Sequence, residues 1–506
     1  MSETRSETPQ SIARNLVYGF STWILPIGLS FIATPRIVKG LGDEDYGIYA
    51  LVLVFVGYSF NFSFGRSIVK YVAEYRSSGE NEKIAGMFSA ACFISVLVGL
   101  ASAAIIWLSS EWLVKNAFKI SAESQGKTIS ALYVTSVMVF VLMQNQVLAS
   151  VLQGIHRFDV YSKILNLNNI LLITGNLVLA LTGFGLVSFF IWNLTVISLS
   201  GLLFAISSKR CLPDLKFTWN FSFDEVKLII FFSAGIIGAQ ILTNIIMIFE
   251  RSWVTRQLGS EALTYYVIPL TLAFYIHAFV GSLVIVIFPL ASELRNEIEK
   301  LLRLYTKATK MVCLIVAFFA TSLIAEGYLF LTLWMGVEFA EKGYALLALQ
   351  TIAFSFLAIQ TVSWQLNDGL GYSRYNFYLL IICLLISITL MILLEPYYGA
   401  GGIAFARMTG LAAVFLSIFY IEYLFFNKTQ VVFWLRITAI LAVASACSAT
   451  VEYLIIINMS SNWPALIAAT SAGGAVFGLV IWLLNFISDD EKQLISRILT
   501  LGPKNR

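Results

Sequence analysis

Long apolar runs recur along the chain of 506 residues, and they restrict its fold more than any other feature. A helix needs about 20 apolar residues to cross the roughly 30 Å apolar core of a bilayer. In that core the backbone amide and carbonyl groups must bond to one another, so a spanning segment becomes a helix. Of the residues, 58% are hydrophobic and only 12% are charged. The sequence therefore predicts an all-α polytopic membrane protein.

Fourteen apolar runs can be separated, and we expect each to form a transmembrane helix. The predicted spans are 15–35, 46–65, 84–108, 128–151, 161–182, 185–207, 226–250, 263–290, 308–331, 344–367, 375–395, 400–425, 433–456 and 464–486. No apolar segment with a cleavage site precedes the first run, so we expect that run to remain as a permanent helix.

The spans divide into two sets of six and a final pair, because short motifs recur 217 residues apart. Gly154 to Arg157 align with Gly371 to Arg374, in corresponding loops. Internal similarity of this kind predicts two parallel-related six-helix bundles. The predicted divisions are a cytoplasmic tail (1–14), a first bundle (15–210), a cytoplasmic linker (211–225), a second bundle (226–428), an extra helix pair (429–486) and a cytoplasmic tail (487–506).

Lysine and arginine are about three times as frequent in one set of alternating loops as in the other. Basic loops stay in the cytoplasm, so both termini are predicted to be cytoplasmic. The net charge of +4 reflects these loops and does not indicate a nucleic-acid partner. The five cysteines show no zinc-ligand spacing, and we expect neither a metal site nor a cofactor.

A short acidic corner (residues 41–49) separates the first two spans, and a partial copy (residues 258–266, the second corner) separates the seventh and eighth. Glycine permits a tight turn, and the side chain of Asp43 is expected to cap the helix that follows. We interpret the shared residues as the structural hinge of a duplicated bundle. They are Leu41, Gly42, Glu44, Gly259 and Glu261.

Polar side chains inside spans are costly, and they are the candidates for a substrate-binding lumen. The candidates are Arg407, Arg251, His277, Gln240, Asn244, Asn145, Gln365 and Asp368. Arg407 is the strongest, because a guanidinium fork can bind phosphate oxygens in bidentate fashion. The alternative interpretation is that the amides join neighbouring helices and that His277 is a packing residue.

These motifs carry a family resemblance. The first corner reads LG-x-E-x-YG-x-Y, the second inner loop is basic, and GxxR follows the fourth and tenth helices. Together they resemble the polysaccharide transporter family, the Wzx-type flippases of the superfamily that also holds multidrug and toxin extruders. The second corner departs from this pattern, because Leu263 and Thr264 stand where the first has Tyr46 and Gly47.

The resemblance implies an alternating-access transporter in the bacterial cytoplasmic membrane. Its implied substrate is an oligosaccharide linked to undecaprenyl pyrophosphate, used for O-antigen, capsule or exopolysaccharide synthesis. The implied partners are this lipid-linked oligosaccharide, membrane lipids, and the polysaccharide polymerase with its chain-length machinery. We expect a monomer without catalytic residues.

Three other classes remain open. A multidrug exporter with cation coupling would bind through intramembrane acids, of which Asp368 is the candidate. A major-facilitator transporter would carry a Gly, Asp and Arg pattern that the second inner loop lacks. A membrane glycosyltransferase would use outer-loop acids such as Asp43 to Asp45, but it would usually carry large outer loops. No glycine-rich phosphate loop with lysine is present, so ATP is not the direct motor.

Overall fold

A computed structural model describes residues 9–56, 64–213, 215–216, 222–284, 286–427 and 429–487. Every regular element among these residues is a helix, which confirms the predicted all-α class. The chain forms two compact units, Met1–Thr264 and Tyr265–Arg506. The predicted division into bundles 15–210 and 226–428 stays a prediction.

The first unit contains eight α-helices and the start of a ninth. They are α1 (Pro9–Leu41), α2 (Asp43–Val54), α3 (Gly65–Ser77), α4 (Asn81–Trp112), α5 (Ala122–Gly154), α6 (Phe158–Leu181), α7 (Leu186–Cys211), α8 (Phe223–Leu258) and α9 (Ser260–Val284). A π-helical turn, Leu113–Ala117, follows α4. The main packing pairs are α1 with α6, α4 with α5, and α5 with α7.

The second unit continues from α9 with eight further helices. They are α10 (Ile287–Glu293), α11 (Ile298–Ala325), α12 (Gly327–Met335), α13 (Val337–Leu370), α14 (Ser373–Ala412), α15 (Phe415–Phe426), α16 (Val431–Asn458) and α17 (Trp463–Leu483). The closest packing pairs are α16 with α17 and α13 with α14. Small residues allow this approach between α16 and α17, where Ala444, Ala469 and Gly473 are buried.

Ten helical segments in the described part of the chain are long and apolar enough to cross a membrane. An eleventh is a pair, Phe223–Ala234 and Ile237–Leu258, bent by 52°. The chain is therefore a multi-pass membrane protein, and the count of fourteen spans stays a prediction. Part of the predicted span 46–65 lies outside the described residues, as do parts of both predicted tails and of the linker 211–225.

The predicted spans 375–395 and 400–425 fall within one helical stretch, Ser373–Phe426, of 54 residues. Gly399 interrupts it with φ 54° and ψ −137°. A φ of this sign is accessible to glycine at little cost, and Pro396 lacks the amide hydrogen that would continue the helix. The break between two spans therefore occurs where the sequence changes from apolar residues to proline and glycine.

Candidate functional site

Both corners turn on a glycine in the left-handed region. Gly42 has φ 81° and Gly259 has φ 90°, and each glycine stands directly before the next helix. The predicted side-chain cap from Asp43 is wrong. Asp43 is itself the first residue of α2, with Gly42 at the N-cap and no side-chain cap bond. The three acids at 43–45 instead lie in the first turn, where a negative charge favours the helix dipole.

The two corners touch each other within the first unit. A Cβ atom at Gly47 would stand 1.8 Å from the carbonyl oxygen of Ser260. The hydroxyl of Thr264 donates to the carbonyl of Asp43 at 2.5 Å. The positions that differ between the copies, Gly47 and Thr264, thus lie on opposite sides of one contact. Position 47 has no room for a side chain, and position 264 needs a hydroxyl to form the hydrogen bond to Asp43.

Glu44 and Asp45 bind the beginning of α5. Glu44 Oε1 accepts hydrogen bonds from the hydroxyls of Ser124 at 2.8 Å and Ser121 at 2.9 Å. These bonds hold the pKa of Glu44 below its ordinary value, with Ser124 the larger cause. Asp45 forms an ion pair with Lys127. Both carboxylates therefore join the first corner to α5.

The remaining predicted hinge residues are Leu41 and Glu261. Leu41 is partly buried against a core cluster with Ala33 and Phe189. Glu261 is exposed in the first turn of α9.

Tyr49, the last residue of the first corner, contacts two neighbouring helices. The hydroxyl of Tyr49 accepts from the amides of Asn176 at 3.0 Å and Asn193 at 3.3 Å, on α6 and α7. Its ring packs against Phe190, with the ring centroids 5.4 Å apart. Tyr49 therefore ties α2 to two neighbouring helices.

The predicted lumen residues of the first unit lie on two helices. Arg251 of α8 is buried, and its Nη1 donates to the carbonyl of Ala50 on α2 at 2.6 Å. Asn244 is buried and Gln240 is half-buried on the same helix. Asn145 of α5 donates to the carbonyl of Ile197 on α7 at 2.8 Å. The Asn145 amide is thus used between helices, and none of these four is in contact with another by a described bond.

In the second unit an aromatic row links two predicted lumen residues, Arg407 and His277. The guanidinium carbon of Arg407 lies 5.2 Å from the centroid of Phe354. Phe354 packs edge-on against Phe274 at 5.5 Å, and Phe274 lies 5.8 Å from the ring of His277. Arg407 is 3% exposed, so its charge is held inside the unit rather than at the lipid surface. Sequence spacing gave no sign of this row.

Gln365 and Asp368 lie near the end of α13 and are half-buried. Asp368 Oδ1 accepts from the amide of Asn376 at 2.9 Å, and Asn367 donates to the same Asn376 at 2.9 Å. This cluster joins α13 to the start of α14. It is a different place in the unit from the contact between Arg407 and Phe354.

A cavity of about 340 Å³ lies between α11, α16 and the residues that follow α17. Lys307, Lys310 and Arg436 supply positive charge, and none of the described residues that line the cavity is acidic. Phe433 and Ile440 belong to its apolar wall. Sequence analysis did not single out Arg436, although a basic residue near the start of an apolar run was a usable signal. A cationic cavity with an apolar wall suits a phosphate group carried on a lipid.

Sequence reasoning also missed the buried glutamates of the second unit. Glu422 on α15 accepts from Trp434 Nε1 at 2.6 Å, from Tyr305 at 2.9 Å and from the backbone amide of Gln430 at 2.6 Å. The sequence did contain a signal, because an acidic residue inside an apolar run is rare unless it has a structural or functional role. Glu422 therefore joins α11, α15 and α16.

The family profile described as polysaccharide biosynthesis protein matches residues 39–342. The chain belongs to this polysaccharide biosynthesis protein family. The match includes both corners, Arg251 and His277, and it ends before Asp368 and Arg407.

This member of the polysaccharide biosynthesis protein family also resembles individual proteins. A Shigella flexneri protein named as an O-antigen transporter is 22% identical over 375 residues, which cover 72% of this chain and 86% of that protein. The structure of the lipid II flippase MurJ in an inward closed conformation has a TM-score of 0.70 at 16% identity, covering 96% of this chain and all of that one. An inward-facing MATE family multidrug transporter of the MOP superfamily has a TM-score of 0.68 at 14% identity, covering 84% and 98%.

The two structural likenesses show that the polysaccharide biosynthesis protein has the fold of MOP-type transporters. The relatives named here are transporters or flippases. The acids of the first corner also have structural contacts in this chain, as described above for Glu44 and Asp45.

Proposed function

We propose that the chain is a flippase that moves undecaprenyl-pyrophosphate-linked oligosaccharides from the inner to the outer leaflet of the bacterial cytoplasmic membrane by alternating access. The product serves O-antigen, capsule or exopolysaccharide synthesis. Family membership, the relative named for O-antigen transport and the fold shared with a lipid II flippase support the proposal. In this proposal both termini are cytoplasmic and the chain is not an enzyme.

The placement of Arg407 is the observation that carries the proposal. A guanidinium buried in a membrane-spanning segment costs free energy, and such residues commonly mark the path of a substrate. Its planar fork matches the oxygens of a pyrophosphate, and the Phe354 ring keeps the group oriented. We assign Arg407 to the pyrophosphate. Gln240, Asn244, Asn145 and Gln365 are proposed amide contacts for sugar hydroxyls, while Arg251, His277 and Asp368 complete the proposed lumen.

The test uses cells that lack their own flippase and express this chain. Arg407→Ala is expected to abolish surface polysaccharide and to leave lipid-linked units at the inner leaflet, whereas Arg407→Lys retains the charge and part of the export. Arg210→Ala is the matched control, because Arg210 is exposed at the end of α7. Normal polysaccharide export by the Arg407→Ala variant at equal protein level would contradict the assignment of Arg407 to the pyrophosphate.

The rival functions have separate readouts. A cation-coupled multidrug exporter has a specific argument in its favour, the likeness to a MATE transporter. That function predicts drug resistance that is lost in Asp368→Asn, with unchanged polysaccharide. A glycosyltransferase predicts loss of the polymer in Asp43→Asn together with Asp45→Asn. We expect neither result.

The proposed assembly is a monomer that works beside a polysaccharide polymerase and its chain-length machinery. Mass measurement of the protein in lipid nanodiscs tests the first point. Cross-linking in cells that export the polymer tests the second.

A further inference from the structure

Two buried glutamates of the second unit lie on elements that pack against each other, one at the end of α11 and one on α16. Glu326 directly follows α11 and is 5% exposed. Glu452 lies on α16, two turns before its end, and is fully buried. Neither residue belongs to the predicted lumen, to the aromatic row beside Arg407 or to the basic cavity.

Hydroxyl groups from three helices surround the two carboxylates. Glu452 Oε1 accepts from Ser448 at 2.9 Å and from Ser322 at 3.3 Å. Glu326 Oε2 lies 2.6 Å from the hydroxyl oxygen of Thr470 on α17. The second oxygen of each acid, Glu326 Oε1 and Glu452 Oε2, is buried and has no hydrogen-bond partner in the structure.

Glycine at position 473 makes room for this arrangement. A Cβ atom there would stand 2.2 Å from Glu452 Oε1 and 2.5 Å from its Cγ. The backbone of α17 therefore approaches the carboxylate more closely than any larger residue would permit. Gly473 therefore leaves room for a side chain as long as that of glutamate at 452.

No cation in the described part of the chain pairs with either acid. On α11 the basic residues lie between Lys300 and Lys310, at the opposite end of the helix, and α17 contains no ionisable residue. On α16 Arg436 is in the first two turns. The remaining titratable groups on the packed elements are Glu299, Tyr305 and Cys313 on α11, Tyr328 on α12, Glu338, Glu341, Lys342, Tyr344 and Asp368 on α13, Tyr420, Glu422 and Tyr423 on α15, and Cys447 and Tyr453 on α16. Lys342 contacts Glu338 and Tyr265, and Tyr453 is exposed.

Two buried carboxylates within one group of hydroxyls and without a counter-charge disfavour the state in which both are ionised. The hydroxyl of Thr470 supplies an independent geometric argument. It has one proton, yet its oxygen lies within bonding distance of both Glu326 Oε2 and the carbonyl of Leu466, the latter at 2.9 Å. When Thr470 donates to Leu466, the contact of 2.6 Å needs a proton on Glu326.

We propose that Glu326 and Glu452 form a proton-binding site in which the pair holds one exchangeable proton. Binding converts the Glu326 carboxylate to a carboxylic acid, whose hydroxyl donates to the oxygen of Thr470 while Thr470 donates to the carbonyl of Leu466. The ionised partner keeps the donors Ser448 and Ser322. In the orientation proposed above, this end of the helices faces the outer side, so the proton exchanges with that solution.

The test is infrared spectroscopy of the full chain in lipid nanodiscs, with the C=O stretch of a protonated carboxylic acid as the readout. We expect a band that is present at about pH 5 and absent at about pH 9. Glu326→Gln and Glu452→Gln should each remove it, and both variants should fold, because glutamine has the shape of the protonated acid. Glu422→Gln is the matched control, because Glu422 is also a buried glutamate but has its own donors, Trp434, Tyr305 and the backbone amide of Gln430.

Ser448→Ala provides a second measurement. Loss of its hydrogen bond disfavours the ionised pair, so the midpoint of the band should rise by about one pH unit. Thr450→Ala on the same helix should not move it, because that hydroxyl bonds only to the carbonyl of Ala446. The proposal is overturned if the band is missing throughout the range, or survives both glutamine variants. It is also overturned if the band responds to sodium ions and not to pH.

Discussion

Gly47 packs against the backbone carbonyl of Ser260, at the point where the two corners of the duplicated sequence meet. Gly47 and Thr264 occupy equivalent positions in the two copies, but only Thr264 carries a side chain, and its hydroxyl reaches Asp43. The difference between Gly47 and Thr264 is therefore accounted for by one asymmetric contact. A symmetric pair of glycines would lose the hydrogen bond, and a symmetric pair of threonines would clash.

The first prediction concerns this contact. Gly47→Ala should lower the free energy of unfolding by about 1–3 kcal/mol, because the added Cβ forces the corners apart. Gly126→Ala on α5 is the matched control, since a Cβ there meets no atom within 4 Å. Thermal unfolding of both variants in the same detergent provides the comparison. Equal unfolding midpoints for Gly47→Ala and Gly126→Ala would mean that the contact between the corners does not stabilise the fold.

The second prediction concerns pH and the hydrogen bonds of Glu44. Its pKa is lowered from the ordinary value of 4.5 by Ser124 and Ser121, so these bonds stabilise the folded state above that value. The stabilisation is lost as pH falls through the lowered pKa. The double variant Ser121→Ala and Ser124→Ala should thus unfold at a lower temperature than the parent at pH 7, with a smaller difference at about pH 3.

Ser130→Ala controls for the loss of a hydroxyl from α5, because Ser130 bonds only to the carbonyl of Gly126. A difference between parent and double variant that does not shrink in acid would show that the ionised Glu44 is not the group involved.

The third prediction concerns the aromatic row. Phe354→Leu keeps the residue apolar but removes the ring beside Arg407, so export should slow by about two- to thirtyfold at equal protein level. Phe356→Leu on the same helix also loses a ring contact, with Phe415, but no described cation lies over Phe356. The rate at which polysaccharide reaches the cell surface is the measurement. Equal rates in the two variants would remove Phe354 from the proposed site.

The fourth prediction concerns the basic cavity. Anionic phospholipid should raise the unfolding temperature of the protein, and Lys310→Gln with Arg436→Gln should reduce that increase, because the phosphate loses two cations. The same experiment with a zwitterionic lipid separates headgroup charge from the acyl chains. Lys209→Gln, which is exposed at the end of α7, is the matched control. An unchanged response to anionic lipid would contradict the prediction.

The helices and the corner glycines could be predicted from the sequence because their causes are local. An apolar run of sufficient length becomes a helix in a bilayer, and Gly42 and Gly259 follow from the turns that the chain must make. The cap expected from Asp43 failed for a local reason too. The helix begins one residue earlier than a side-chain cap would need.

The partners of the polar residues could not be predicted, because each depends on which helices become neighbours. Asn145 reaches α7, and Arg251 reaches a carbonyl on α2 about 200 positions away in the sequence. The row from Arg407 to His277 joins three helices through two phenylalanines that looked like ordinary apolar residues. Periodicity identifies the face that a residue occupies, but it does not identify the helix opposite.

The close approach of Gly473 to Glu452 has an evolutionary consequence. An alanine at 473 would be unfavourable while a glutamate stands at 452, yet acceptable once that glutamate is shortened. Among homologous sequences the two positions should therefore change together, with loss of the acid preceding or accompanying any larger residue at 473. A residue larger than glycine at 473 should therefore mark a lineage that has lost the acid, whereas glycine there is compatible with either state.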